Sequence, residues 1–398
     1  MQNLNKIIIK NRQDSKLIEG SPWIYSNSIE NISDLKKIEN GSLVFVKLHN
    51  ENNNFAIAYF NIHQLITARI LSYDVNENID AAFFEKKILA AKKLRDQFFN
   101  KPYYRLIHSE ADSLPGLVID RFDDIFSCQI TTLGMQKLEH FIIEALKNIF
   151  NDCKIIFRND ADSRKYEGLE LEIKNINEIN DEKIIEENDI QFKINIITGQ
   201  KTGWYFDQRK NREFIANCSE NKDVLDAFCY HGSFGIYALS KNARSVTFID
   251  SSQTAIESAK NNIEINKLDN SRCDFICDKV FDRFEKMLKE ERKFDIILLD
   301  PPAFVKSRKD LHSGLKGYEK LVKLAIPLLR ENGMIFLASC SHNVSLDDLT
   351  SCANKAVRKF YNNKRSPKLI RSFGADIDHP LHPSLRESEY LKSIAFFV

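Results

Sequence analysis

The chain has 398 residues, 57 Lys+Arg against 56 Asp+Glu, a formal net charge of +1, 43% apolar and 28% charged residues. Such a length exceeds one hydrophobic core and calls for two or three domains. The balanced charge excludes a protein that coats polyanions over its whole surface, while leaving room for a basic face on one domain. No apolar run approaches the roughly 18–20 residues that cross a bilayer, and the N-terminus, MQNLNKIIIKNRQDS, does not read as a signal peptide, so a cytosolic chain is expected. Eight cysteines without a CxxC pair and nine histidines without HxxxH or HExxH grouping give no metal site.

Residues 1 to about 72 carry short alternating or apolar runs (Lys6–Lys10, Leu43–Lys47, Phe55–Tyr59, Leu65–Leu71) separated by turn clusters at Glu19–Pro22, Glu39–Ser42 and Asn50–Asn54. That spacing predicts a small all-β module. From Ala81 to Phe98, apolar positions at steps of three and four predict a helix. Residues 103–190 then mix strands (Gly116–Asp120, Phe126–Thr131, Lys154–Arg158) with an amphipathic helix near Met135–Phe150 and an Asn- and Glu-rich connection over 175–189. From about 190 strands and helices alternate. Strands are predicted at Val224–Phe228, Val246–Asp250, Phe275–Cys277, Phe294–Leu299 and Met334–Ser339. The helices are 233–241, Ser251–Asn266 with Ser251 as N-cap, 280–290 and Leu315–Leu329. Repeated β–α units with apolar strands predict an α/β fold, a mostly parallel, doubly wound Rossmann-like sheet, with ligands beyond the carboxyl ends of its strands.

The residues that follow those strands carry the chemistry. The first strand runs into Asp226-Ala-Phe228-Cys-Tyr-His-Gly232-Ser-Phe-Gly235. This departs from the GxGxxG pyrophosphate fingerprint; a carboxylate at that strand end suits the ammonium group of an amino acid. Asp250 ends the second strand, where it can take both hydroxyls of a ribose, and Asp278 follows the third, where it can accept from an adenine amine. Together the three carboxylates describe a site for S-adenosylmethionine. The fourth strand ends in Asp300-Pro-Pro-Ala-Phe304, a stiff loop of a type typical of methyltransferases acting on planar nitrogen-bearing groups or nucleobases. The fifth ends in Ser339-Cys340-Ser341-His342, which makes Cys340 a candidate nucleophile. Seven basic residues and no acid lie between Lys355 and Arg371. Lys355, Arg358, Lys359, Lys364 and Arg365 there, with Lys306, Arg308 and Lys309 after the proline loop, are candidate phosphate contacts.

The segments TGQKTGWYFDQRKNR (198–212), LDAFCYHGSFG, LDPPAF, SCSH and DHPLHPSLRESEYLK, with YRLIHSEADSLPGLVIDRF (104–122) and Gly20-Ser-Pro-Trp-Ile-Tyr25, resemble the class I 23S ribosomal RNA cytosine-5 methyltransferase family, and the likeness covers most of the chain. It implies three domains: a PUA-like RNA-binding domain over 1–72, a central α+β hairpin-containing domain over 73–189, and a methyltransferase domain over 190–398. It further implies Tyr205, Asp207 and Arg209 near the methionine end of the cofactor, with Phe228 and Gly232 in the cofactor loop. Cys340 would then be the nucleophile and Asp300 the group on the cytosine N3/N4 edge. A second cysteine, which many RNA cytosine-5 enzymes use to resolve the adduct, is replaced here by Pro302-Ala303, so the eliminating base is unassigned; Glu387 and Glu389 are candidates because uracil-5 methyltransferases use a late glutamate in this way. The implied partner is 23S ribosomal RNA, free or in an early precursor, with a homodimer as one arrangement and no membrane or metal. Two rivals stay open at this point: a different acceptor, uridine carbon 5 or a guanine nitrogen, and a non-catalytic RNA-binding assembly factor.

Overall fold

The computed structural model describes residues 4–49 and 51–398. Met1–Asn3 and Asn50, parts of the charged N-terminus and of the Asn50–Asn54 turn, lie outside the described residues. The chain divides into two compact units: one of Met1–Glu182, Asn195–Trp204 and Ile377–Ser388, the other of Lys183–Ile194, Tyr205–Asp376 and Glu389–Val398.

Unit one holds two five-stranded sheets. The first has the order Asn5–Ile8, Leu43–Lys47, Ala56–Phe60, Ile66–Ser72, Trp23–Tyr25, with Val44, Val46, Ala58, Phe60 and Ile70 in its core. The short strand Trp23–Tyr25 adds to the four predicted ones. The second sheet runs in sequence order through Tyr103–His108, Leu117–Phe122, Ile125–Ile130, Lys154–Asn159 and Glu172–Asn175. The helix Ala81–Arg95 starts where the Asp80 carboxylate accepts from the Phe83 amide (3.1 Å), as a good N-cap does. The helix expected near Met135–Phe150 is broken at Leu138 into Leu133–Lys137 and Glu139–Ile149.

Two distant segments are stitched into this unit. Arg95, fully buried, grips the Asp112 carboxylate with both terminal nitrogens (2.6 and 2.7 Å) and donates to the Asp378 carbonyl (2.9 Å). The Asp378 carboxylate accepts from the Arg105 amide (2.8 Å). Asp120 pairs with the Arg105 side chain at 2.8 and 2.9 Å and accepts from the Thr202 hydroxyl. Buried charges survive only when paired in this way.

Unit two is an α/β layer around a seven-stranded sheet. Its strands are β1 Asp223–Ala227, β2 Ser245–Asp250, β3 Cys273–Cys277, β4 Phe294–Leu299, β5 Leu329–Ser339, β6 Lys368–Phe373 and β7 Lys392–Phe397. They lie in the order β3-β2-β1-β4-β5-β7-β6, parallel except for β7, which is antiparallel to both neighbours. The helices are α1 Arg209–Asn217, α2 Ser233–Ser240, α3 Gln253–Ile265, α4 Val280–Lys289, α5 Leu311–Ala325 and α6 Leu346–Phe360. The predicted mostly parallel, doubly wound sheet is present. Two local expectations need correction. Ser252, not Ser251, caps α3, its hydroxyl accepting from the Ala255 amide (3.3 Å). The helix expected to reach Leu329 ends at Ala325; Pro327 sits in a 3-10 turn, where its missing N–H costs least, and Leu329 already opens β5.

Candidate active site

The β1 end is built for close approach. Past Ala227 the backbone takes left-handed conformations at Phe228 (φ 64°), Tyr230 (φ 48°) and Gly232 (φ 73°). Non-glycine residues held there store strain, and such strain gathers at functional sites. α2 then starts hard against β2: a Cβ at Gly235 would stand 2.3 Å from the Phe248 ring. Asp226 is buried at the base of this loop, accepting from the Gly235 amide (2.9 Å). Burial, aided by the nearby Asp300 and Asp250 charges and opposed by that amide, pushes its carboxyl up to about 7. Asp250 accepts from the amides of Tyr230 (3.1 Å) and Ser252 (2.9 Å), which fixes its rotamer at the end of β2. Asp278 accepts from the Lys279 amide (2.8 Å) and pairs with Lys286, which holds its carboxyl below the usual range. His231 bonds Ser258 (2.5 Å), and burial pushes its imidazole down to about 4.

The Tyr205–Arg209 segment forms a buried polar layer in the same unit. Burial raises the Tyr205 phenol well above its usual value, with Tyr230, Asp207, Asp300 and Cys340 all near enough to add to the effect. The Tyr205 and Tyr230 rings meet edge to face at 5.8 Å. Asp207 accepts from the Tyr390 hydroxyl, and the Tyr390 ring lies 5.7 Å from that of His342. Arg209 binds Glu187 and Asp376 (3.2 Å each), while Glu187 also takes Arg212 and the Tyr237 hydroxyl (2.9 Å). Gln208 donates to Asp300 (3.0 Å) and accepts from Asn211 (2.5 Å). The sequence pattern does not single out Gln208, Glu187, Asp376 or Tyr390. Gln208 and Tyr390 lie inside the quoted segments 198–212 and 378–392 and Asp376 just before the second, while nothing in the sequence marks Glu187.

At the fourth and fifth strand ends, Asp300 and Cys340 are half-buried. The Phe304 ring packs against Tyr318 (4.8 Å) and Phe281 (6.3 Å). Of the two tail glutamates, Glu387 belongs to unit one, lining a small cavity with Lys16, Glu19 and Tyr25, and Glu389 belongs to unit two, as Cys340 does.

The basic candidates are all exposed. Lys306, Arg308 and Lys309 follow the proline loop, and Lys355, Arg358 and Lys359 lie along the C-terminal half of α6. Lys359 pairs with Glu319, Arg358 donates to Ser366 (3.3 Å), and Arg365 stacks on Tyr361 (4.8 Å). Lys364 lies beside Arg365 in the turn before the exposed edge strand β6. Among the described residues no cluster of three or more His, Cys, Asp or Glu is arranged to hold a metal ion, and no helix is long and apolar enough to cross a membrane.

A sheet in this order, with a buried acid one residue before the end of β1, a second closing β2 and a third just past β3, is that of the Rossmann-like S-adenosylmethionine-dependent methyltransferases. The buried Asp226 fits that cofactor, because a desolvated carboxylate crowded by two others is relieved by a cationic ligand. Residues 7–73 match the model of a PUA-like domain and 205–366 that of Conserved hypothetical protein 95. The chain is 36% identical over 398 residues to ribosomal RNA large subunit methyltransferase I of Aliivibrio fischeri and 35% over 395 to that of Pseudoalteromonas atlantica, covering 98% of every chain involved. The fold is similar to that of a protein from Streptococcus mutans described as a SAM-dependent methyltransferase (TM-score 0.81, 21% identity, 99% of this chain and 100% of that one). The chain belongs to the ribosomal RNA large subunit methyltransferase I family, and its cofactor is S-adenosylmethionine.

Proposed function

We propose that this chain methylates carbon 5 of a cytosine in 23S ribosomal RNA through a covalent adduct between Cys340 and carbon 6. In this reading residues 1–72 form the RNA-binding module, 73–189 the central domain and 190–398 the transferase. The observation that carries it is the convergence of a half-buried thiol, a carboxylate held by an amide side chain, and a buried phenol in electrostatic reach of both: Cys340, Asp300 and Tyr205.

Asp226 holds the cofactor's ammonium group, Asp250 its ribose and Asp278 its adenine amine; Tyr205, Asp207, Phe228 and Gly232 line the methionine end, with Arg209 bracing that layer through Glu187 and Asp376. When bound, S-adenosylmethionine supplies an electrophilic sulfonium methyl group, which an activated carbon 5 accepts. Cytosine carbon 5 is a poor nucleophile until the Cys340 thiolate adds to carbon 6 and turns the ring into an enamine. Asp300, its orientation set by Gln208, faces the N3/N4 edge and stabilises the charge that develops there. Loss of the carbon 5 proton to a base then expels the thiolate. Lys306, Arg308, Lys309, Lys355, Arg358, Lys359, Lys364 and Arg365 contact RNA phosphates, and the base is flipped from its stack to reach the thiol.

The test is methyl transfer from labelled cofactor to 23S RNA, wild type beside Cys340→Ala, with the modified nucleoside identified by mass spectrometry. Labelled 5-methylcytidine that disappears in the variant is expected. Undiminished transfer by Cys340→Ala would refute the covalent step, and a methylated guanine nitrogen would replace the acceptor.

A further inference from the structure

The two strand-end loops that carry Asp300 and Cys340 are held to one another by a buried side chain of α5. Tyr318 is wholly buried. Its hydroxyl donates to Ser339 Oγ (2.8 Å), which also accepts from the Ser341 amide (3.3 Å). Ser341 Oγ in turn accepts from the Val305 amide (3.4 Å), and the Phe304 ring rests on the Tyr318 ring at 4.8 Å. The bonds close a circuit, Tyr318–Ser339–Ser341–Val305–Phe304–Tyr318, with Cys340 between its two serines and Asp300 on the arm that leads to Phe304. The Cys340 thiol and the Phe304 backbone are both close enough to act on the Tyr318 phenol, whose pKa burial raises.

The face of α5 is cut to bring this about. Gly314, Gly317 and Tyr318 fall at i, i+3 and i+4, so they share one side of the helix. A Cβ on Gly314 would stand 2.3 Å from Val305 and 2.9 Å from the Phe304 carbonyl oxygen, and one on Gly317 would stand 3.0 Å from the Phe304 ring. The helix therefore lies directly on the proline loop. Packing alone would accept phenylalanine at 318. A buried hydroxyl is tolerated because it is bonded, and here it is bonded to the residue before the thiol.

Resting on the reading that Cys340 and Asp300 do the chemistry, we propose that Tyr318 is a positioning residue that fixes the spacing between the thiol and the carboxylate. Addition to carbon 6 and charge stabilisation at N3/N4 occur on one flat ring, so both groups must reach it together. A displacement on the order of 1 Å costs about 100-fold in rate.

The test compares wild type, Tyr318→Phe, Ser341→Ala and the double variant in methyl transfer to 23S RNA, with thermal unfolding of each as the folding control. Tyr318→Phe keeps the ring on Phe304 and removes only the hydroxyl. It is expected to lower kcat about 10- to 100-fold while leaving the KM for S-adenosylmethionine within about twofold, since Asp226, Asp250 and Asp278 are outside the circuit. The double variant is expected to be no slower than the slower single variant, as for groups acting through one network. Turnover of Tyr318→Phe within about twofold of wild type, or losses that multiply in the double variant, overturn the proposal. Cys340→Ala, run beside them, separates the two ideas. If it keeps full turnover the covalent reading falls, whereas an inactive Cys340→Ala with an unimpaired Tyr318→Phe defeats only the positioning role.

Discussion

Cofactor binding should depend on pH through one buried carboxyl, that of Asp226. In the free protein burial and the neighbouring Asp300 and Asp250 push it up to about 7. The sign follows from linkage. The folded, ligand-free state holds a proton on Asp226 that the unfolded state, at its ordinary value near 3.8, has already lost. This group therefore favours the folded state most at acid pH, and its contribution of about 4 kcal/mol fades as pH rises towards 7. A cationic ligand acts in the opposite sense, since it is attracted only to the ionised form. At pH 7 about half of the protein carries that form, and at pH 5.5 about 3% does, so the Kd for S-adenosylmethionine should weaken about 15-fold over that interval. The interval stays below the titration of the ligand's own α-amino group, near pH 8. Calorimetry in buffers of different ionisation enthalpy measures both the Kd and the proton released on binding. Asp226→Asn should bind more weakly at pH 7 and with almost no slope. A flat profile for wild type, or an equal slope in Asp226→Asn, would refute the assignment of Asp226 to the ammonium group.

Two further outcomes are expected. Arg95→Met leaves the carboxylate of Asp112 buried without its bidentate partner and the Asp378 carbonyl without its donor. Breaking one side of a buried pair typically costs about 3–5 kcal/mol, so urea denaturation of this variant should shift by that amount, and a change under 1 kcal/mol would show the cluster to be dispensable. Replacing both Lys364 and Arg365 by alanine should weaken RNA binding across sequences. It should also flatten the plot of log affinity against log salt by about 1.4, at about 0.7 per phosphate contact to a single strand; an unchanged slope would place the RNA elsewhere.

Much of this is legible in the amino-acid order because a buried parallel strand must be apolar and must end where its ligand begins. Asp250, Asp278, Asp300 and Cys340 stand at or just past the end of an apolar run, and Asp226 stands one residue before the end of β1. β6 offered no such handle: Lys368–Phe373 is an edge strand exposed along most of its length, so neither alternation nor an apolar run marks it. β7, KSIAFF, is apolar enough, but it follows a tail motif that draws attention to its own charges. Gln208 and Tyr318 are residue types ordinary for a helix or its approach, and only their bonds to Asp300 and Ser339 mark them out.

The division of the chain shows a different limit. Residues 377–388 complete unit one, through Asp378 on Arg95 and Arg105, while 389–398 complete the sheet of unit two as β7, lying between β5 and β6. A window that slides along the sequence meets this tail once and assigns it once. The tail nevertheless satisfies two cores, supplying a carboxylate and a carbonyl to buried arginine groups in one and backbone hydrogen bonds to two strands in the other. The connection at 195–204 behaves likewise, giving Thr202 to Asp120 in unit one immediately before Tyr205 opens the polar layer of unit two. Motifs such as KTGWYFDQR and DHPLHPSL therefore read as single blocks, yet each straddles or abuts a point where the chain changes unit.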